Sequence, residues 1–269
     1  MTTARLSETF ARARAEKRAC FIPYLTAGDP NLNATVALAR ELEESGADVL
    51  ELGVPFSDPI ADGPTLQRAA SRALAAGTSL SGVFEAASAI RRSTRLALVL
   101  FSYANPLVAP GFAAAMDRAS AAGFDGVLLT DVPAEEAGEF LPPIAASGLD
   151  PIFLVSPTSP EERMRRASLL SRGFLYVISR TGTTGEKNAL AKDLAGTVRR
   201  ARRCSPGLPV AVGFGISTPA DAARVAAIAD GVVVGSALVR VVESGGRNAV
   251  AAAGKFARAM VAACRGGRR

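Results

Sequence analysis

Histidine is missing from this chain altogether. Its absence removes Ser-His-Asp triads, Cys-His dyads and His-ligated metal sites from consideration. Lysine is scarce. Lys17, Lys187, Lys192 and Lys255 are the whole set, and none falls in a predicted strand, which disfavours a Schiff-base lysine of the barrel type. The cysteines Cys20, Cys204 and Cys264 are widely spaced and odd in number, so neither a disulfide framework nor a zinc site is expected. No apolar run approaches the roughly 20 residues of a membrane span. The first 18 residues carry a charged amphipathic pattern without the apolar core of a signal peptide, and Glu8 and Glu16 argue against an organellar transit peptide. A cytoplasmic location is expected. Aromatics make up only 6% of the residues. The net charge of +6, which comes mostly from paired arginines, therefore reads as solvated helix surface and not as a nucleic-acid stripe. Acid–base chemistry in such a chain rests on Asp, Glu, Tyr or a thiol.

What the chain does have is a rhythm of eight short apolar runs: FIPYLT (21–26), VLELGV (49–54), LALVLFS (96–102), GVLLTD (126–131), PIFLVS (151–156), FLYVIS (174–179), PVAVGFG (209–215) and GVVVGS (231–236). Near-continuous Val, Ile and Leu suit parallel strands covered on both faces. Helical spacing fills the gaps at 33–45, 81–93, 111–122, 134–147, 160–171 and 218–228, with helix-start signals at Ser81, Pro133, 159–162 and 217–221. Eight strand–helix units predict a single α/β domain over 1–269, a (β/α)8 TIM barrel; a doubly wound open sheet is the alternative. An extra N-terminal helix is expected at 1–18. Two strand-to-helix connections are long. One follows the second strand, with a loop and added helix at 55–77, and one follows the sixth, where 180–193 would form a lid. Loops after barrel strands carry active sites.

Glu51 sits in the middle of the second apolar run, and a carboxylate there is costly unless it is paired, protonated or working. Asp62 lies beyond a Pro- and Asp-rich turn and can face Glu51 across a pocket; it can equally be a turn residue. Asp58, before Pro59, reads as turn-forming. Asp131 is either a ligand contact or a helix cap. Gly213 and Gly215 in GFGIS, and Gly235 with Ser236 in VGSA, follow the seventh and eighth strands, where barrels often bind phosphate on backbone N–H groups. Gly182 to Gly185 can add donors. Tyr176 can point into the barrel mouth near Glu51. Tyr24, Phe101, Tyr103, Leu128 and Phe153 either line a flat apolar pocket near the mouth or belong to the core. The expected substrate is a phosphorylated compound with a flat apolar part, and the expected chemistry is proton transfer without a metal.

PYLTAGDP (23–30), ELGVPFSDPIADGP (51–64), YANP (103–106), DVP (131–133), Arg180 with Gly182 and Thr184-Gly185, GFGIS and VGSA, taken in order, resemble the tryptophan synthase alpha chain family. The resemblance runs from about Phe21 to Ser236. It implies a lyase that cleaves indole-3-glycerol phosphate to indole and glyceraldehyde 3-phosphate by a retro-aldol step. Glu51 would be the general acid–base, and Asp62 would hold the indole N–H and stabilise positive charge on the ring. Gly185, Phe214, Gly215, Gly235 and Ser236 would surround the phosphate, Tyr176 would stand beside the carboxylates, and Thr184 would align Asp62 when the lid closes. Tyr24, Phe101, Tyr103, Leu128, Thr130 and Phe153 would line the indole pocket; Tyr24, Phe101 and Thr130 depart from the residues most common there. The resemblance also implies no cofactor in this chain. It points to a pyridoxal-phosphate beta chain as partner in an alpha2-beta2 heterotetramer, docked on a rim of Pro55, Phe56, Asp58, Asn105, Pro106 and Pro133. Another phosphate-binding barrel enzyme, such as a sugar-phosphate isomerase, and a non-catalytic ligand-binding barrel are the competing readings.

Overall fold

A computed structural model describes residues 5–179 and 193–266. Nine parallel strands, β1 (Cys20–Thr26), β2 (Val49–Gly53), β3 (Ala97–Ser102), β4 (Gly126–Leu129), β5 (Asp150–Ile152), β6 (Leu154–Val155), β7 (Leu175–Ile178), β8 (Val210–Gly213) and β9 (Gly231–Val234), follow the order β5-β4-β3-β2-β1-β9-β8-β7-β6. β5 and β6 are one barrel strand broken at Phe153. Its first half pairs with β4 (Gly126↔Asp150) and its second with β7 (Leu154↔Tyr176), which closes the ring of eight expected from the sequence.

Side chains alternate across this sheet as a pleated strand requires. Cys20, Ile22 and Tyr24 of β1, Val49 of β2, Ala97, Val99 and Phe101 of β3, Leu128 of β4, Ile152 of β5 and Tyr176 of β7 form the barrel interior. Their neighbours Phe21, Leu25, Leu50, Leu52, Leu98, Leu100, Val127, Leu129 and Val177 pack outward under the helices. Both faces are apolar, so the strands read as continuous hydrophobic runs.

The outer layer comprises α2 (Leu32–Glu44), α3 (Pro64–Ala75), α4 (Leu80–Ser93), α5 (Asn105–Val108), α6 (Phe112–Ala122), α7 (Leu141–Ala146), α8 (Glu161–Leu170), α9 (Leu194–Cys204), α10 (Pro219–Ala226), α11 (Ser236–Gly245) and α12 (Ala249–Gly266). Two sequence expectations change here. The stretch 134–147 is not one helix: it divides into a 3-10 turn, Ala137–Glu139, and α7. Pro142 and Pro143 lack the N–H groups a continuing helix needs, and their rings collide with the preceding turn, so a helix can only start there. The cap of α4 is Ser79, whose side chain accepts the Gly82 N–H, and not Ser81.

The remaining helix, α1 (Arg5–Ala15), closes the barrel floor. Leu6, Phe10 and Ala13 join the interior core. Arg5, Arg12 and Arg14 reach Asp125, Asp48 and Asp230 respectively. Each of these aspartates stands just before a strand. Asp48 accepts the Phe21 N–H, Asp125 that of Leu98 and Asp230 that of Val210, so each staples the start of a neighbouring strand. With α1 across the floor, the C-terminal ends of the strands form the open end of the interior among the described residues. No single helix among the described residues is long and apolar enough to cross a membrane.

Candidate active site

Alternation places Glu51 on the interior face of β2, with Val49 below it and Tyr24 of β1 and Val99 of β3 as its register partners. The residue is 1% exposed, and its Oε1 has no hydrogen-bond partner among the described residues. Burial alone pushes the carboxyl up to about 8. An ionised carboxylate loses its hydration there and gains no cation among the described residues in return, which favours the protonated form.

Asp62 stands half-buried on the loop between β2 and α3. The loop is shaped by its own turns, with the Ile60 N–H donating to Asp58 O and the Asp62 N–H to Pro59 O. It is pinned by Tyr103, whose hydroxyl accepts the Ala61 N–H at 3.0 Å, and by Gln67, whose Nε2 donates to Asp62 O at 2.8 Å. Burial raises the Asp62 carboxyl to about 6, and the Tyr103 hydroxyl holds it from rising further. Two carboxylates with different environments therefore titrate at different pH, which is how one site offers an acid and a base at once.

Three tyrosines gather around them. Burial raises the Tyr24 hydroxyl, and the charges of Asp62 and Glu51 add to that shift. Burial and the Glu51 charge do the same to Tyr176. Tyr103 is raised by burial and by Asp62. Tyr24 packs edge-on against Phe101 at 5.2 Å, and its Oη lies 3.2 Å from Thr26 Oγ1. Gly53 has no side chain because the Tyr24 ring occupies the space its Cβ would need. Gly213 meets the Tyr176 ring in the same way, so a side chain at this position would displace that tyrosine. Leu128 and the half-buried Thr130 complete this wall, Thr130 continuing the ladder through its N–H to Ser102 O.

Phe153 is the pocket residue that the structure turns away. It faces outward, where it borders an apolar gap with Val127, Leu129, Phe140 and Leu141. The alternation that carries Ile152 inward carries Leu154 inward too, so Leu154 is the side chain at the mouth. Counting in twos from Ile152 would have found it.

After β8, Phe214 and Gly215 form a turn at φ 72° and 74°. Phe214 stacks edge-on against Tyr176 at 6.0 Å, and its carbonyl accepts the Ser179 hydroxyl. Gly235 is the N-terminal cap of α11 and makes no side-chain cap, and Ser236 opens the helix. The first N–H groups of that helix thus point at the mouth, a geometry suited to an anion. Thr184 and Gly185, with Arg180 and Gly182, lie outside the described residues, as does nearly all of the 180–193 stretch.

On the rim, Asp58, Asn105 and Pro133 are exposed and Phe56 and Pro106 half-buried. Phe56 stacks on Tyr103 at 5.3 Å. Pro55 is buried within the chain, so it supports the rim without presenting a surface. Asp131 accepts the Ala104 N–H and so fixes the loop before α5; it caps no helix of its own. Among the described residues no cluster of three or more His, Cys, Asp or Glu side chains is arranged to hold a metal.

The family model described as tryptophan synthase alpha chain matches residues 10–265. The tryptophan synthase alpha chain of Geotalea daltonii is 49% identical over 236 residues, covering 88% of this chain and 89% of its own. That of Phenylobacterium zucineum is 48% identical over 240 residues, 89% of this chain and 86% of its own. Among solved structures, tryptophan synthase of Mycobacterium tuberculosis aligns at TM-score 0.89 with 38% identity, over 97% of this chain and 98% of that one. The alpha subunit from Legionella pneumophila aligns at TM-score 0.89 with 36% identity, over 98% of each. This barrel, with a buried carboxyl whose Oε1 has no hydrogen-bond partner among the described residues, is matched over nearly its whole length by these proteins and belongs to the tryptophan synthase alpha chain family.

Proposed function

We propose that Glu51 and Asp62 carry out the family's retro-aldol cleavage of indole-3-glycerol phosphate. The observation that carries this reading is the Glu51 carboxyl: buried in the barrel interior, without a hydrogen-bond partner at Oε1 among the described residues, and pushed by burial up to about 8. Protonated Glu51 delivers its proton to C3 of the indole ring. The ring becomes an indolenine cation, and ionised Asp62 stabilises it at the ring nitrogen. The carboxylate left on Glu51 takes the proton of the glycerol hydroxyl next to the ring. The carbon–carbon bond then breaks, its electrons return to the ring, and an aldehyde and indole leave. Glu51 ends protonated, as it began. The protonated ring is the electron sink, so the step calls on neither lysine nor metal.

The substrate's phosphate sits on Phe214, Gly215, Gly235, Ser236 and Gly185, with the first turn of α11 as its helix terminus. Its indole lies among Tyr24, Phe101, Tyr103, Leu128, Thr130, Leu154 and Tyr176. The family resemblance gives Thr184, which lies outside the described residues, the part of aligning Asp62. This chain carries no cofactor; pyridoxal phosphate belongs to a beta chain that receives the indole, in an alpha2-beta2 assembly in the cytoplasm. Handing indole on directly prevents the escape of a small apolar product through membranes.

The test is steady-state cleavage of indole-3-glycerol phosphate by the wild-type chain and two variants. Glu51→Gln should lose on the order of 10²–10⁴-fold in kcat while still binding substrate. Asp62→Asn, which keeps an acceptor and drops the charge, should lose a similar amount. A Gln variant with near wild-type kcat would remove Glu51 from the mechanism.

A further inference from the structure

α3 begins at Pro64, two residues after Asp62, so whatever fixes α3 fixes the stem of the Asp62 loop. Arg68 and Arg72 are one turn apart and share a face of that helix. The Arg72 guanidinium forks onto Asp29, with Nε 2.8 Å from Oδ1 and Nη2 2.8 Å from Oδ2. Its remaining nitrogen, Nη1, lies 2.7 Å from Oε1 of Glu243. Arg68 grips the same glutamate with Nε at 2.9 Å from Oε1 and Nη2 at 3.0 Å from Oε2. Asp29 is 5% exposed on the loop that leaves β1, where its own N–H donates to Thr26 O. Glu243 belongs to α11, the helix whose first residues are Ser236 and Ala237. Just past the C-terminal end of α3, the Thr78 side chain fills the space beside Gly28 that a Cβ would need, so the segment following the helix also touches the loop after β1.

This geometry ties three parts of the mouth into one body: the loop after β1, the helix after Asp62, and the helix whose N-terminus faces the anion. A lone surface ion pair would do little. Here one guanidinium serves two carboxylates, one of them buried, in a planar fork that a lysine cannot reproduce.

We propose that Arg72 is a positioning residue for Asp62: by clamping α3 to Asp29 and Glu243 it fixes the distance between the Asp62 loop and the phosphate end of α11. The inference rests on the retro-aldol reading given above. Loosening the clamp leaves both the phosphate seat and the indole walls in place, so binding survives, while the carboxylate wanders from the ring nitrogen. Misplacement of a catalytic group by about 1 Å can cost as much as 10²-fold in rate.

The experiment is a mutant cycle on cleavage of indole-3-glycerol phosphate by the full chain. Arg72→Lys and Asp29→Asn should each lower kcat roughly 10–100-fold and change KM less than about threefold. Asp29→Asn removes the buried charge without leaving it stranded, so it folds even if an Arg72 truncation does not. In an Asp62→Asn background, Arg72→Lys should cost nothing further, because the group it positions is already disabled. If the two losses multiply, or if Arg72→Lys raises KM and spares kcat, Arg72 acts on general stability or on binding and the positioning role is wrong. Wild-type turnover is the control: a wild-type chain that does not cleave the substrate overturns the retro-aldol reading and this inference together, whereas turnover with multiplying losses overturns the inference alone.

Discussion

Glu51 carries a burial cost that the proposed mechanism would put to use. Its carboxyl has an ordinary value of 4.5 and stands at about 8 in the folded chain. In the unfolded chain it ionises as pH rises past 4.5, and in the folded chain it keeps its proton until about 8. The folded state thus holds more protons over that window, and stability falls across it and levels off above. Glu51→Gln lacks this titration. Its advantage in unfolding free energy over the wild type should be near zero at pH 4, grow between pH 5 and 8, and reach several kcal/mol at pH 9 by denaturant titration. A constant difference across pH would mean that the carboxyl is paired after all. The same two groups set the rate profile. The proposed mechanism needs Asp62 ionised and Glu51 protonated, so kcat/KM should rise through about 6 and fall through about 8. Glu51 stood out in the sequence because a charge inside an apolar strand breaks a pattern. Arg72 and Asp29 gave no such signal. They lie 43 residues apart and meet only because the barrel brings the β1 loop against α3.

The element that most rewards attention to packing is α1, whose inner face continues into the barrel as an aromatic column. Phe10 meets Phe174 at 5.4 Å, Phe174 meets Tyr176 at 6.3 Å, and Tyr176 meets Phe214 at 6.0 Å at the mouth. The floor and the turn after β8 therefore share one stack. Phe10→Ala should cost about 3–5 kcal/mol of stability, the range for emptying a buried aromatic site. It should also soften the seat of Tyr176, seen as a higher KM at temperatures where the variant is still folded. A loss of stability with KM unchanged would confine the column to a structural role. The strands were legible in the sequence because burial on both faces writes each as an unbroken apolar run. The details that were missed are local. The resemblance implies Phe153 in the indole pocket, but side-chain direction follows the period of two from Ile152 and carries Phe153 outward. The helix expected over 134–147 ignored what two successive prolines do to the turn before them.

For the molecule as a whole, the question is where indole goes after cleavage. The floor is sealed by α1, so product leaves at the C-terminal rim. Of the four large apolar side chains that are exposed among the described residues, Ile60 at 79% and Val108 at 47% belong to that rim, beside the exposed Asp58, Asn105 and Pro133. Apolar side chains flanked by polar groups around an exit suit docking of a second protein better than solvent. Val108 lies on α5 and contacts neither carboxylate in any hydrogen bond or ion pair, so it tests the surface without touching the chemistry. A cognate beta chain titrated into the wild-type chain should raise kcat, because docking on this rim favours the arrangement in which the Asp62 loop is closed. Val108→Glu should leave the melting temperature and the unassisted rate unchanged and weaken that activation at least about tenfold in beta-chain concentration, the equivalent of ~1.4 kcal/mol of binding. Placing an unpaired charge in an apolar contact has that effect. If the titration curve of the variant overlays that of the wild type, the partner docks elsewhere; if neither responds to the beta chain and no complex elutes on size exclusion, the chain releases indole on its own.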